Sequence, residues 1–299
     1  MHSLNTSDIP VRNNYMTPEK HAQMIMLRRI PGYMIWYAVV IIGALLSIFP
    51  YWLVLLTSFK PANQIFSGEP WSFPSIFTLD NYNIVLNQYA FPAYIGHTLI
   101  YAAFSTIGQL IFSTIAAYAF ARMRFPGRDT LFWLYLATMM VPNIVTLIPM
   151  FILMKQFGWI NTYYALIIPS VLGSPYGIFL MRQFFRTIPE DLENSARIEG
   201  ANTLQILSQV ILPLSRPILA TLAIITFVQA WNDFLWPLII TYSDDLRVLS
   251  VGVTSFQSMH GAQWNLMMAA TFIILGPLLV LFFVFQKQIV RSIHLSGFK

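Results

Sequence analysis

The strongest constraint on this chain is a series of six long stretches almost free of charge. They run approximately Met34–Phe59, Thr98–Ala121, Thr130–Met154, Tyr163–Met181, Ile218–Thr241 and Leu266–Phe285. Roughly 20 apolar residues cross a bilayer, so each stretch is long enough to span one. No water reaches the bilayer core, so a spanning segment must satisfy its own backbone hydrogen bonds, which a helix does. Only 10% of the 299 residues are charged, where a soluble domain carries about a quarter. The expected fold class is therefore all-α, a polytopic membrane protein with six transmembrane helices. Pro142 and Pro149, seven residues apart in the third stretch, are expected to kink or break that helix.

The basic residues set the expected orientation, because Lys and Arg collect on the cytoplasmic side of membrane proteins. Arg12, Lys20, Arg28 and Arg29 precede the first span, and Arg122, Arg124 and Arg128 follow the second. Arg182, Arg186, Arg197 and Arg216 sit between the fourth and fifth, and Lys287, Arg291 and Lys299 close the chain. Of the 17 Lys and Arg, Lys60, Lys155 and Arg247 alone fall on the other side. Both termini are expected to be cytoplasmic. Residues 1–33 then form a cytoplasmic segment, 34–290 the membrane domain and 291–299 a cytoplasmic tail. The polar start, Met1 to Arg29, does not resemble a cleaved signal. The net charge of +5 follows from this loop bias and requires no nucleic-acid partner. With no cysteine in the sequence, disulfides and thiolate chemistry are excluded.

Two segments outside the spans are substantial. Lys60–His97, with Pro70, Trp71, Phe73 and Pro74, reads as an ordered surface loop or an interfacial helix. The second, Arg182–Pro217, is cytoplasmic by the charge argument and has helical signals of its own. Pro189 suits a first helical position, and Glu190, Asp191 and Glu193 complement the positive end of a helix dipole. Glu193 and Arg197 are spaced i,i+4 in the favourable order. Gly200 supplies a stop, and Asn202 can cap a second short helix running to about Val210. Small residues, Ser195, Ala196, Gly200 and Ala201, allow another protein to approach closely; an ordinary surface helix reads equally well from the residues alone.

The segment Asn194-Ser195-Ala196, three residues, Gly200, then Val210, Leu212 and Pro213 resembles the EAA loop of ABC importer permeases. The eponymous Glu is absent at its own position, and Glu193 is its neighbour. Ala117-Tyr118-Ala119-Phe120-Ala121-Arg122-Met123-Arg124-Phe125-Pro126-Gly127-Arg128 resembles the stretch after the second span of maltose-type sugar permeases. So do Trp231-Asn232-Asp233-Phe234 with Pro237, Met268-Ala269-Ala270, and Gln286 with Gly297-Phe298-Lys299. Together they identify the chain as similar to the smaller, six-span permease of the maltose-type carbohydrate importers, with the type I importer fold.

That resemblance implies a subunit of an ATP-driven, binding-protein-dependent importer in a bacterial inner membrane. Its implied partners are a second homologous permease, two cytoplasmic ATPase subunits, an extracytoplasmic solute-binding protein, membrane lipid and a sugar or oligosaccharide. ATP and Mg would be bound by the ATPase, and no cofactor is expected in this chain. The loop 186–213 would dock on the ATPase through Glu193, Asn194, Ser195, Ala196, Arg197, Ile198, Glu199, Gly200, Ala201 and Asn202. Gly200→Arg is expected to abolish transport while leaving the protein in the membrane. By position, Ser243–Trp264 would meet the binding protein, through Asp244, Asp245, Arg247, His260 and Trp264. Trp231, Asn232 and Asp233 are candidates for the translocation path, and Asp233 could equally be a structural partner of a neighbouring helix.

Several chemistries lack their residues. No Gly-x-x-x-x-Gly-Lys-Ser/Thr phosphate loop occurs, so the chain is not expected to hydrolyse ATP itself. His2, His21, His97, His260 and His294 are scattered without metal-ligand spacing. No nucleophile–base pair suggests an enzyme. A stand-alone secondary transporter, or an ABC permease for a non-sugar solute, remain as alternative readings.

Overall fold

The computed structural model describes the backbone of residues 18–259 and 263–297, and side chains over 33–254 and 263–286. The regular secondary structure of the described residues is all helical, with no strand among them. The chain divides into two units, Met1–Leu53 and Val54–Lys299. The first holds most of α1 (Pro18–Ser58).

The second unit follows with α2 (Asp80–Asn87), α3 (Phe91–Arg122), α4 (Arg128–Ala137), α5 (Asn143–Gln156), α6 (Tyr163–Val171) and α7 (Pro175–Phe185). Next come α8 (Glu190–Ile198) and α9 (Thr203–Gln205), which a π turn at Ile206–Ile211 continues into α10 (Leu212–Leu214). The last are α11 (Arg216–Trp231), α12 (Leu235–Ile240), α13 (Leu249–Met259) and α14 (Trp264–Gly297).

Among the described residues four helices are long and apolar enough to cross a membrane: Tyr33–Ser58, Phe91–Arg122, Tyr163–Phe185 and Trp264–Gln286. Two bent pairs make up to six if each is one span. They are Arg128–Met140 with Asn143–Gln156, at 99°, and Thr203–Leu214 with Arg216–Trp231, at 82°. The first bend is the expected proline break. Pro142, at ψ 133°, precedes α5 in an extended conformation. Pro149 stays inside α5 and does not end it. The fifth stretch departs from expectation: helix α11 stops at Trp231 and the chain breaks at Asn232–Phe234 before the short α12. The expected helical run to Thr241 is therefore two pieces, with Asp233 at the joint.

Helix α3 is the pillar of the second unit. Its 32 residues make it roughly 48 Å long, and it joins two separate cores. Tyr94, Tyr101 and Ala102 belong to one with Trp231, Ile240, Leu249 and Ala269. Ala117 and Tyr118 belong to the other with Phe132, Met181, Phe185, Ile206 and Leu222. Where the span α6–α7 breaks, α3 supplies the missing partners. Gln109 donates to the Ser170 carbonyl at 2.6 Å and accepts from the Ser174 N–H at 2.7 Å. Breaks in membrane helices persist when neighbours satisfy the freed backbone in this way.

The Lys60–His97 segment is ordered, as expected. Phe59 stacks on Phe77 at 4.3 Å, and buried Lys60 donates to the carbonyls of Glu69 and Pro70. Asn81 donates to the carbonyls of Ser58 and Lys60 and accepts from Asn265 Nδ2 at 2.7 Å. That one amide joins the end of α1, α2 and the start of α14. Tyr82 meets Ser58 Oγ at 2.6 Å, and burial pushes its phenol above the ordinary value.

Candidate functional site

The loop between α7 and α11 folds into the expected helix–glycine–helix knob. Helix α8 opens with Glu190, Asp191 and Glu193 in its first turn and ends with Arg197 in its last, the charge order that the helix dipole favours. Pro189 lies one residue outside the helix, at its N-cap. At the far end Gly200 has φ +88°, a left-handed conformation that glycine adopts without steric cost. Its N–H bonds to the Arg197 carbonyl at 3.0 Å, and the Ala201 N–H bonds to Ala196 at 2.9 Å. This pair of bonds is the Schellman termination of a helix. Asn202 and Gln205 then form a reciprocal capping box, each side chain accepting from the other's backbone N–H at 2.9 and 2.8 Å. The joint between the two helices is therefore fixed by four hydrogen bonds among six residues between Ala196 and Gln205.

The knob has two faces. Asn194, Ser195, Arg197, Glu199, Gly200 and Asn202 are exposed. Ile198 is 87% and Leu204 71% exposed, an apolar pair on either side of the glycine turn. A Cβ built on Gly200 meets nothing within 4 Å. Ala196 and Ala201 turn inward onto the core around Phe185 and Ile206, so they position the knob and are not on its open face.

Glu193 requires a correction. It was expected on the docking surface, yet it is 3% exposed and faces the end of α3. Its Oε1 lies 2.8 Å from Arg122 Nε, and Oε2 accepts from Tyr118 Oη at 3.3 Å. The expected partner Arg197 is 3.9 Å away. Arg122 also reaches Glu190 Oε1 at 3.3 Å and donates to the carbonyls of Phe185 (2.7 Å) and Ile188. One guanidinium thus ties together the ends of α3, α7 and α8. Sequence reasoning missed Arg122 and Tyr118 as site residues. Their i,i+4 spacing at the end of a span was the available signal, but the arginine was absorbed into the orientation argument.

At the other core, Asp233 lines a cavity of about 380 Å³ together with Tyr101, Asn143, Thr146, Ser170 and Trp236. Tyr101 donates to Asp233 Oδ2 at 2.7 Å, and Ser250 Oγ donates to its backbone carbonyl at 2.5 Å. Trp236 spends its indole N–H on the Ala165 carbonyl, 3.0 Å away. Trp231 does not line this cavity. It is 1% exposed, stacks on Phe227 and donates to Ile274; its expected place in a path is withdrawn. Asn232 is exposed and bonds back to Val228 at 2.8 Å.

In the Ser243–Trp264 loop, Asp244 and Arg247 pair with each other at 2.7 Å. Tyr94 donates to Asp244 at 3.1 Å, and His97 meets the Arg247 carbonyl at 3.1 Å. These two charges therefore anchor the loop to α3. Asp245 and Trp264 stay exposed. His260 lies outside the described residues.

Residues 109–295, which hold the knob and the Asp233 joint, match the family described as "Binding-protein-dependent transport system inner membrane component". The chain belongs to this family. It is 34% identical over 264 residues to the trehalose/maltose transport system permease protein MalG of Thermococcus litoralis, covering 87% of this chain and 94% of that one. It is 30% identical over 259 residues to the arabinooligosaccharides transport system permease protein AraQ of Halalkalibacterium halodurans, covering 86% and 92%. A chain of a bacterial ABC transporter involved in import of the acidic polysaccharide alginate has the same fold. Its TM-score is 0.77 at 23% identity, over 87% of this chain and 97% of that one. The family member described here is thus a multi-pass permease of a binding-protein-dependent transport system.

Proposed function

We propose that this permease is one of two related membrane subunits of an ATP-driven importer for a sugar or oligosaccharide. It crosses the bacterial inner membrane six times, with both termini in the cytoplasm. ATP and Mg are bound and ATP is hydrolysed by two partner ATPase subunits, and the chain itself is not an enzyme. A solute-binding protein delivers cargo on the opposite side, where Asp245 and Trp264 are the exposed contacts.

The observation that carries the coupling role is the two-faced knob. Ile198 and Leu204 are offered outward across an unobstructed glycine turn, while Glu193 and Arg122 fasten the same knob to α3. A push on the outer face is thereby delivered to α3, the 32-residue helix that joins the two cores of the second unit. The carbohydrate reading rests on relatives that handle trehalose, maltose and arabinooligosaccharides. The Asp233 cavity has hydroxyl, amide and aromatic groups and no Lys, Arg or His in its lining. That composition favours neutral sugar over acidic polysaccharide of the alginate kind.

The test is purification of the tagged chain from native membranes in mild detergent, with identification of what accompanies it. A second permease with an ATPase supports the assembly, and its binding protein then identifies the sugar. Recovery of this chain alone, active in uptake after reconstitution, would overturn it.

A further inference from the structure

A second cavity, unrelated to cargo, opens at the knob end of the membrane helices. It measures about 540 Å³ and is bounded by the ends of α3 and α7 and the start of α4. Arg122, Arg128, Arg182 and Arg186 line it with Asp129, Glu190 and Trp133.

Its charges do not balance. Arg122 is matched by Glu193 and Glu190. Arg128 and Arg182 share a single carboxylate, Asp129, at 3.1 and 3.2 Å. Arg186 is exposed and has no ion-pair partner among the described residues. Four arginines thus meet three carboxylates, and the positive charge left over facing the cleft is that of Arg186. Arg182 is pre-positioned: its side chain is only 9% exposed, its Cζ lies 3.9 Å from the Phe132 ring centroid, and its Nε donates to the Phe120 carbonyl. A fixed guanidinium fork is suited to phosphate oxygens.

The surroundings indicate where the phosphate comes from. Trp133, part of the lining, is 67% exposed, and Leu131 and Leu134 on the same turns of α4 are exposed as well. An indole beside arginines, with leucines beyond, matches the boundary between headgroups and acyl chains. A water-soluble acidic protein would leave that apolar edge uncovered. We propose that this cleft binds the phosphate headgroup of an anionic phospholipid, with Arg182 and Arg128 holding the phosphate, Arg186 closing over it and Trp133 against the chains. Basic pockets between membrane helices recognise anionic headgroups by this chemistry.

The experiment uses the full chain purified with its accompanying subunits, in micelles holding equal phosphatidylglycerol and phosphatidylcholine. Retained lipid is counted by native mass spectrometry. Phosphatidylglycerol is expected in excess, falling about fivefold in Arg186→Gln and again in the double variant with Arg128→Gln. Arg197→Gln, which removes the same charge from the knob, is expected to leave the ratio unchanged. Equal loss in Arg197→Gln would show diffuse surface attraction and overturn the site. Displacement by millimolar inorganic phosphate would assign the cleft to free anions. Unchanged lipid with loss of an accompanying ATPase in Arg186→Gln would assign it to a protein contact. Either result ends the lipid proposal.

Discussion

Arg122 Nε stands 2.8 Å from Glu193 Oε1, both side chains almost wholly buried, at the point where α3 meets the knob. Two residues 71 positions apart are thus closed into one rigid corner. Removing one member of a buried pair leaves the other charge without compensation, at a cost of about 3–5 kcal/mol. Glu193→Ala is therefore expected to loosen the knob while the membrane helices persist. Limited proteolysis should cut within residues 190–213 in the variant and spare the wild type. In the assembled transporter, ATP hydrolysis should continue with uptake reduced at least tenfold. Normal uptake with an unprotected knob would show that the corner transmits nothing.

Much of this corner was legible in the sequence and one essential part was not. The glycine stop at Gly200, the cap at Asn202 and the acidic first turn of α8 follow from rules acting within four residues, and each is present. The direction in which Glu193 points is different. It depends on Arg122 arriving from another helix, and i,i+4 spacing offered Arg197 as a nearer answer. The same limit applies at Asp233. Its charge within an apolar stretch marked it, but the break that exposes it comes from tertiary partners, Tyr101 and Ser250. Trp231 resembled a path residue because of its neighbours in sequence, whereas helical geometry turns it into the core.

Gly200 separates folding from docking. Its positive φ means that any side chain costs about 1–2 kcal/mol there, but open space around it means that no atom of this chain is struck. Asn tolerates the left-handed region best among other residues. Gly200→Asn is expected to reach the membrane and retain most uptake. Gly200→Arg is expected to reach the membrane equally and to lose uptake, because its bulk would meet only a docked partner. Membrane abundance and uptake measured side by side decide the matter. Full uptake by the arginine variant would remove the docking role of this turn.

The Tyr101–Asp233 hydrogen bond, at 2.7 Å, offers a test of the cavity. Tyr101→Phe removes the donor without changing the ring and costs the half-buried carboxylate one hydrogen bond, at about 1–3 kcal/mol. If the carboxylate serves the path, Tyr101→Phe and Asp233→Asn should both lower the maximal uptake rate several-fold, with assembly on size-exclusion chromatography unchanged. A purely structural bond would instead lower the melting temperature of the complex and leave the rate per folded transporter at the wild-type level.

Finally, Gly108 sets the distance between α3 and α6. A Cβ placed there would collide with the Val171 side chain and approach its Cα at 3.1 Å. Small residues at such crossings let membrane helices approach closely, where packing supplies the attraction. Gly108→Ala must therefore push α6 away from α3, and with it the Ser170 carbonyl and Ser174 N–H held by Gln109. The expected cost is about 1–3 kcal/mol of overpacking, read as a lower melting temperature in detergent. Val171→Gly removes the two side-chain atoms that collide and leaves the Cα at 3.1 Å, so the double variant should recover part of the loss. Additive losses in the double variant would mean that Gly108 matters for another reason than this crossing.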